Sequence, residues 1–288
     1  MYDDSFGASL KRGYRGLPVA IRTLITLNVG IYVLQVIAGI FGPDYAKAVI
    51  NNFAFFPDWQ IALFQPWRAF TYMFLHGSAF HLIFNMLWLW WMGRSVEERL
   101  GPRTFTVIYF AAGLGGALLY IIAAPILGFN PVIGASGAVY GIMVSFAMLY
   151  PKMPIMLILL PPIQARYVVA GLIAIDALLL GSADSTARIV HLAGAGIGYL
   201  MIKWHRQGTD LSSWILPVEQ LWYRLKGMVQ EQSSKPRNKN MYSVSDVEII
   251  DEDEQSELDE ILEKISEKGY DGLTDAEKQK LFELSKKN

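Results

Sequence analysis

Gly134-Ala135-Ser136-Gly137-Ala138-Val139-Tyr140-Gly141 sets a serine among small residues, just after an uncharged loop containing Pro131 and at the start of an apolar run. The pattern predicts a helix beginning at Ser136. Its hydroxyl would be exposed in the first turn, where backbone N–H groups are not yet used by the helix ladder. A nucleophile beside spare donors suits acyl transfer, because a developing oxyanion needs hydrogen bonds. The octet also reads as a plain serine N-cap with glycines for close helix packing. Taken alone it favours that plainer reading, and the rest of the chain reverses the balance.

Of the 288 residues, 53% are apolar and 13% aromatic, and the mean hydropathy is +0.29. That is too apolar for an ordinary soluble domain. Charges thin out between Ile21 and Ile202 and crowd into the C-terminal stretch, so the net charge of -1 conceals basic flanks and an acidic tail. This distribution gives no sign of nucleic-acid binding. The absence of cysteine excludes disulfides, thiol chemistry and cysteine-ligated metal. The first apolar run, from Leu17, has no small-residue cleavage site close behind it and reads as a retained anchor.

A membrane helix needs about 20 apolar residues, and hydropathy divides the chain accordingly. The first span is 18–40, stopped by Gly42-Pro43-Asp44. Residues 43–75 are aromatic but broken by Pro57, Asp58 and Pro66, and suit the headgroup region. The second span is 70–91, followed by a charged turn from Gly93 to Arg103. The third is 105–127 and the fourth 136–150. Four prolines argue for an apolar interfacial loop over 152–163. The fifth and sixth spans are 164–180 and 187–203.

Lys11, Arg12, Arg15, Arg22, Arg94, Arg99, Arg103, Lys152, Arg166, Lys203 and Arg206 share one side of such a bundle, against only Lys47, Arg68 and Arg188 on the other, so both termini are expected in the cytoplasm. Ser136 then lies at the external end of its helix. Residues 211–229 carry Trp214, Trp222 and Tyr223 and read as an interfacial helix. An acidic run from Ser243 leads to a helical hairpin, with Gly269-Tyr270-Asp271-Gly272 as its turn and Thr274 and Glu277 as a capping box. The expected divisions are 1–17, a cytoplasmic tail; 18–207, the membrane domain; 208–240, interfacial helix and linker; and 241–288, the acidic hairpin segment.

Polar groups inside a bilayer are costly and tend to be functional. Here they are Asn28, His76, His81, Asn85, Ser136, Asp176 and His191, with His205 outside the last span. Gly194 and Gly198 lie three and seven residues after His191, on its own helix face. Gly137, Gly141 and Ser145 repeat every four residues beside Ser136. Two small-residue faces allow close helix approach, which would bring Ser136 and His191 to one depth. The plainer reading of His191 is an interfacial histidine. His81 and Asn85 share a face and can donate to an oxyanion or serve only as an interhelical clamp. His76 reads as an interfacial residue bonded to loop backbone. Asp176 is open between orienting His191, reaching for the interface and holding a water.

These residues resemble the rhomboid family of intramembrane proteases. Gly134-Ala135-Ser136-Gly137 is similar to its GxSG motif, and His76-Gly77-Ser78-Ala79-Phe80-His81-Leu82-Ile83-Phe84-Asn85 to its second helix. His191-Leu192-Ala193-Gly194 with Gly198 resembles the last core helix, Trp67-Arg68 the first-loop pair, and Glu97-Glu98-Arg99-Leu100-Gly101 the following turn. The resemblance covers about Leu17 to Arg206. It implies an all-α polytopic bundle of six transmembrane helices with a small cytoplasmic helical C-terminal segment.

The resemblance also assigns roles. Ser136 is the nucleophile and His191 its general base. His81, Asn85 and the Ser136 N–H form the oxyanion hole. Tyr140 stacks beneath the His191 ring, and no third acid is used. Gly134, Gly137, Gly194, Gly198 and His76 are supporting residues. The implied activity is serine endopeptidase cleavage of transmembrane segments of protein substrates in the inner membrane, without metal or organic cofactor. The alternative is a non-catalytic membrane chaperone of the same fold, against which Ser136 and His191 speak. A transporter reading lacks repeat symmetry. The acidic C-terminal segment falls outside the resemblance and suits a cytoplasmic partner or none.

Overall fold

Pro18 and Gly42 bracket the first long apolar run, and helix α2 fills it from Val19 to Phe41. The computed structural model describes residues 6–156, 161–181, 185–233, 260–266 and 268–287. The acidic run over 243–259 lies outside these residues. The chain divides into two compact units, Met1–Tyr223 and Arg224–Asn288.

In the first unit a short helix α1 (Phe6–Arg15) precedes α2. A buried carboxylate fixes where α2 starts. Glu97 Oε1 accepts from the Ala20 N–H at 2.8 Å and Oε2 from the Ile21 N–H at 2.9 Å. An anion at the open donors of a helix N-terminus satisfies them and complements the helix dipole. Further along, α2 turns Leu34, Ile40 and Phe41 outward. Such an exterior, on a helix about 35 Å long, matches a hydrocarbon surround rather than water.

Residues 43–75 contain three short helices, α3 (Pro43–Phe53), α4 (Trp59–Phe64) and α5 (Arg68–Thr71), and then a 3-10 turn over Tyr72–Phe74. Asp58 caps α4, its side chain accepting from Gln60 N and Ile61 N. Arg68 is buried and donates to the Ala54 carbonyl at 3.0 Å, while Thr71 Oγ1 donates to the Phe53 carbonyl at 2.8 Å.

The second helix departs from the expected 70–91. Helix α6 begins at Ala79, because Ser78 sits in extended backbone and its side chain accepts from the His81 N–H at 3.1 Å. The charged stretch after Gly93 is helical rather than a turn. Arg94 and Glu98 pair at 2.7 Å one turn apart, and Glu97 is committed to α2. The chain reverses at Gly101 alone, where φ is 79°. This divides α6 (Ala79–Leu127) into arms 79–100 and 102–127, the second opening on Pro102.

Helix α7 runs Ser136–Leu149. The apolar loop after it is closed by an antiparallel ladder, β1 (Pro154–Ile155) with β2 (Ile163–Gln164). Residues 157–160 of that loop are outside the described set. Helix α8 covers Ala165–Leu178 and α9 covers Ser185–Arg206. Fourteen residues make α8 only about 21 Å long. A 3-10 turn (Leu211–Ile215) leads into α10 (Leu216–Ser233). The buried core lies between the two arms of α6, α7 and α9, with Leu89, Ile108, Tyr109, Ala138 and Ile142 fully enclosed.

In the second unit, residues 260–266 are helical, and a second helix spans Asp275–Lys287. Among the described residues, Ile261 and Leu273 are its buried apolar side chains. Thr274 N donates to Glu277 Oε2 at 2.8 Å and Glu277 N to Thr274 Oγ1 at 3.4 Å, a reciprocal cap. The Lys264 ammonium bonds the Glu277 carboxylate. That bond first, and Thr274 second, hold the Glu277 pKa down at about 2.

Candidate active site

Ser136 is the first residue of α7, and the first ladder bond near it is Val139 N–H to Ala135 O at 3.0 Å. The N–H groups of Ser136, Gly137 and Ala138 therefore precede the ladder. The loop before Ser136 is pinned from three sides. Phe55 and Val132 exchange backbone bonds at 3.1 and 2.9 Å. The Gly134 N–H donates to the Tyr72 carbonyl at 2.9 Å. The Tyr120 hydroxyl donates to the Asn130 carbonyl at 2.7 Å. Gly134 has φ 127°, and a Cβ there would lie 2.8 Å from His81 Nε2. A side chain at 134 would thus strain the backbone and push His81 off the site.

α7 and α9 meet through backbone. A Cβ on Gly194 would overlap the Gly137 carbonyl, and one on Gly198 the Gly141 carbonyl. On the other helix, a Cβ on Gly137 would come 2.7 Å from Val190 Cγ1. Without hydrophobic drive between helices in lipid, such contact is what holds them together. The seam sets the side chains of Ser136 and His191 opposite one another. His191 Nε2 lies 2.7 Å from Ser136 Oγ, and the ring stacks on Tyr140 at 4.4 Å and 11°.

A cavity of about 250 Å³ opens beside the pair, lined by His81, Asn85, Phe84, Trp88, Leu172, Ser136 and His191 among others. Asn85 is buried, and its Nδ2 donates to the His81 carbonyl at 2.9 Å. One Nδ2 hydrogen is thereby used and one remains. His76 stands apart from this cavity. Its ring is buried edge-on to His81, 5.0 Å between centroids, and its backbone N–H donates to Gln35 Oε1 at 3.0 Å. It is a buried neighbour of His81.

Asp176 is the residue that sequence reasoning undervalued. Its Oδ2 lies 3.0 Å from His191 Nδ1, although the two helices share no sequence pattern that announces it. Tyr72, Phe55 and Tyr120 were also unmarked, since nothing local distinguishes a tyrosine that braces a remote loop. Among the described residues no group of three His, Asp or Glu side chains converges to hold a metal.

Comparison with known proteins gives two family matches. The Rhomboid domain matches residues 63–207, and a family of unknown function matches residues 252–287. A rhomboid protease GlpG of Klebsiella pneumoniae subsp. pneumoniae is 31% identical over 121 residues, 42% of this chain and 40% of that protein. A rhomboid protease GlpG of Salmonella newport is 41% identical over 81 residues, 28% of each chain. The chain thus spans less than half the length of these relatives. The rhomboid match takes in half of the chain, including the Ser78 cap, both arms of α6, Ser136 and His191, and on that extent the chain belongs to the rhomboid family.

Proposed function

We propose that this chain is an intramembrane serine endopeptidase that cleaves transmembrane segments of other membrane proteins with Ser136 and His191. The 2.7 Å separation of Ser136 Oγ and His191 Nε2 carries the reading. In the first half-reaction the Ser136 O–H bond breaks and its proton moves to His191 Nε2. The freed pair on Oγ attacks the scissile carbonyl carbon. The resulting oxyanion is met by His81, the second Nδ2 hydrogen of Asn85 and the Ser136 N–H. His191 then returns the proton to the leaving amine, and water repeats the sequence on the acyl-enzyme.

The six helices 19–41, 79–100, 102–127, 136–149, 165–178 and 185–206 are the six spans in this reading, with both termini cytoplasmic by the distribution of Lys and Arg. Residues 18–207 form the membrane domain. The apolar cavity wall from Phe84, Trp88 and Leu172 suits a substrate that arrives from lipid. The hairpin segment 241–288 contributes nothing to the chemistry and serves a cytoplasmic partner or regulation. No observation favours the non-catalytic chaperone.

The test is labelling of Ser136 by a fluorophosphonate, together with cleavage of a transmembrane substrate. Ser136→Ala and His191→Ala should each abolish both while the protein stays folded. The double variant should be no worse than either, since the pair acts as a unit. Activity retained in either single variant would remove the proposal.

A further inference from the structure

Beyond Ile173, α8 exposes every described residue except Asp176, which is 9% exposed. A carboxylate buried among apolar helices is costly unless paired. Asp176 is paired with His191 and Arg188, both on α9, and accepts a hydrogen bond from the Tyr140 hydroxyl on α7. Oδ2 faces His191 Nδ1 at 3.0 Å, and Oδ1 faces Arg188 Nε at 3.8 Å. Arg188 Nη1 also donates to the Leu179 carbonyl at the end of α8, at 3.3 Å.

An ionised carboxylate only accepts. The proton between Asp176 and His191 therefore belongs to Nδ1. In a neutral imidazole, a proton on Nδ1 leaves Nε2 as the bare acceptor, and Nε2 is the atom that faces Ser136 Oγ. We infer that Asp176 is a positioning residue: it holds His191 in the one tautomer that can take the Ser136 proton.

The inference rests on the Ser136–His191 reading and adds a third member to the two-residue site that the family resemblance implies. When the proton crosses to Nε2, the ring becomes cationic and the carboxylate, itself still ionised, lies against that charge. Tyr140 stacks on the ring and His81 shares the cavity, but neither supplies Nδ1 with an anionic acceptor. Without Asp176 the ring stays stacked, yet the proton can sit on Nε2, and that tautomer presents Ser136 with a donor.

The experiment uses the full chain in detergent, with histidine labelled with 15N. Wild type should show His191 protonated at Nδ1. Asp176→Asn should shift that signal toward Nε2 protonation and slow Ser136 labelling at least about tenfold, since a wrongly held tautomer in a serine protease triad costs up to about 10⁴. kcat for a model substrate should fall while KM stays. Asp176→Glu, which keeps the carboxylate, should recover part of the rate. A role confined to pinning α8 would leave the tautomer unchanged and overturn the inference. So would labelling within twofold of wild type in Asp176→Asn while His191→Ala is silent. Labelling retained in His191→Ala would instead remove the Ser–His reading beneath it. If Asp176→Asn does not fold, the wild-type spectrum decides: Nδ1 protonation supports the inference and Nε2 protonation overturns it.

Discussion

His191 stands on α9, which is set against α7 by two glycine contacts along its length, whereas the outer half of α8 touches the site through one carboxylate. The difference is one of stiffness. Backbone-to-backbone contact leaves no side chain to rearrange, so the relative depth of Ser136 and His191 is fixed by sterics. A polar tether fixes a direction and a proton, while the neighbouring residues of α8 beyond Ile173 stay exposed and can face lipid. The site thus takes its distance from the seam and its polarity from the tether.

The seam is the place to break this contrast most severely. Gly194→Val puts a branched side chain where even a Cβ overlaps the Gly137 carbonyl. Overpacking typically costs about 1–3 kcal/mol, and a backbone collision belongs at or beyond the top of that range. Ser136 labelling should be lost together with the cooperative melt in detergent. A folded, labelling Gly194→Val protein would show that α9 can slide and that the seam is not the rigid partner.

Asn85 tests the third wall of the site, the first arm of α6. Asn85→Ala should slow cleavage by about 10²–10³, the usual loss for one oxyanion donor. The melt should be nearly unchanged, because the Nδ2 bond to the His81 carbonyl stays within its own helix. A loss as complete as that of Ser136→Ala, in a folded protein, would assign Asn85 a different task.

The smallest effect belongs to the hairpin, where a carboxylate tether works in water. Glu277 has its pKa held at about 2, below its ordinary 4.5, chiefly by the Lys264 hydrogen bond. A depressed carboxyl stabilises the folded form above its unfolded value and loses that contribution as pH falls from 4.5 through 2. Methyl signals of Ile261 and Leu273, followed by NMR in the full chain, should therefore weaken over that window. The change should be shallow, since the pair is solvated. An identical acid response in Glu277→Gln would show that another group governs it.

The amino-acid sequence alone locates the apolar runs, the serine at a helix start, the histidine above its glycines and the capping box at Thr274. Each is a local pattern, and hydropathy, spacing and turn chemistry report local patterns well. It misplaces the start of α6 by nine residues, from Phe70 to Ala79, because hydropathy cannot see that Tyr72–Phe74 is a separate turn and Ser78 a cap. It also reads residues 94–100 as a turn, because the partner of Glu97 is the backbone of Ala20 and Ile21, 77 and 76 residues away. Which carboxylate meets Nδ1, and which tyrosines brace the loop before Ser136, depend on how each helix is rotated about its own axis. That rotation is set by side chains on other helices, and so only the tertiary structure decides it.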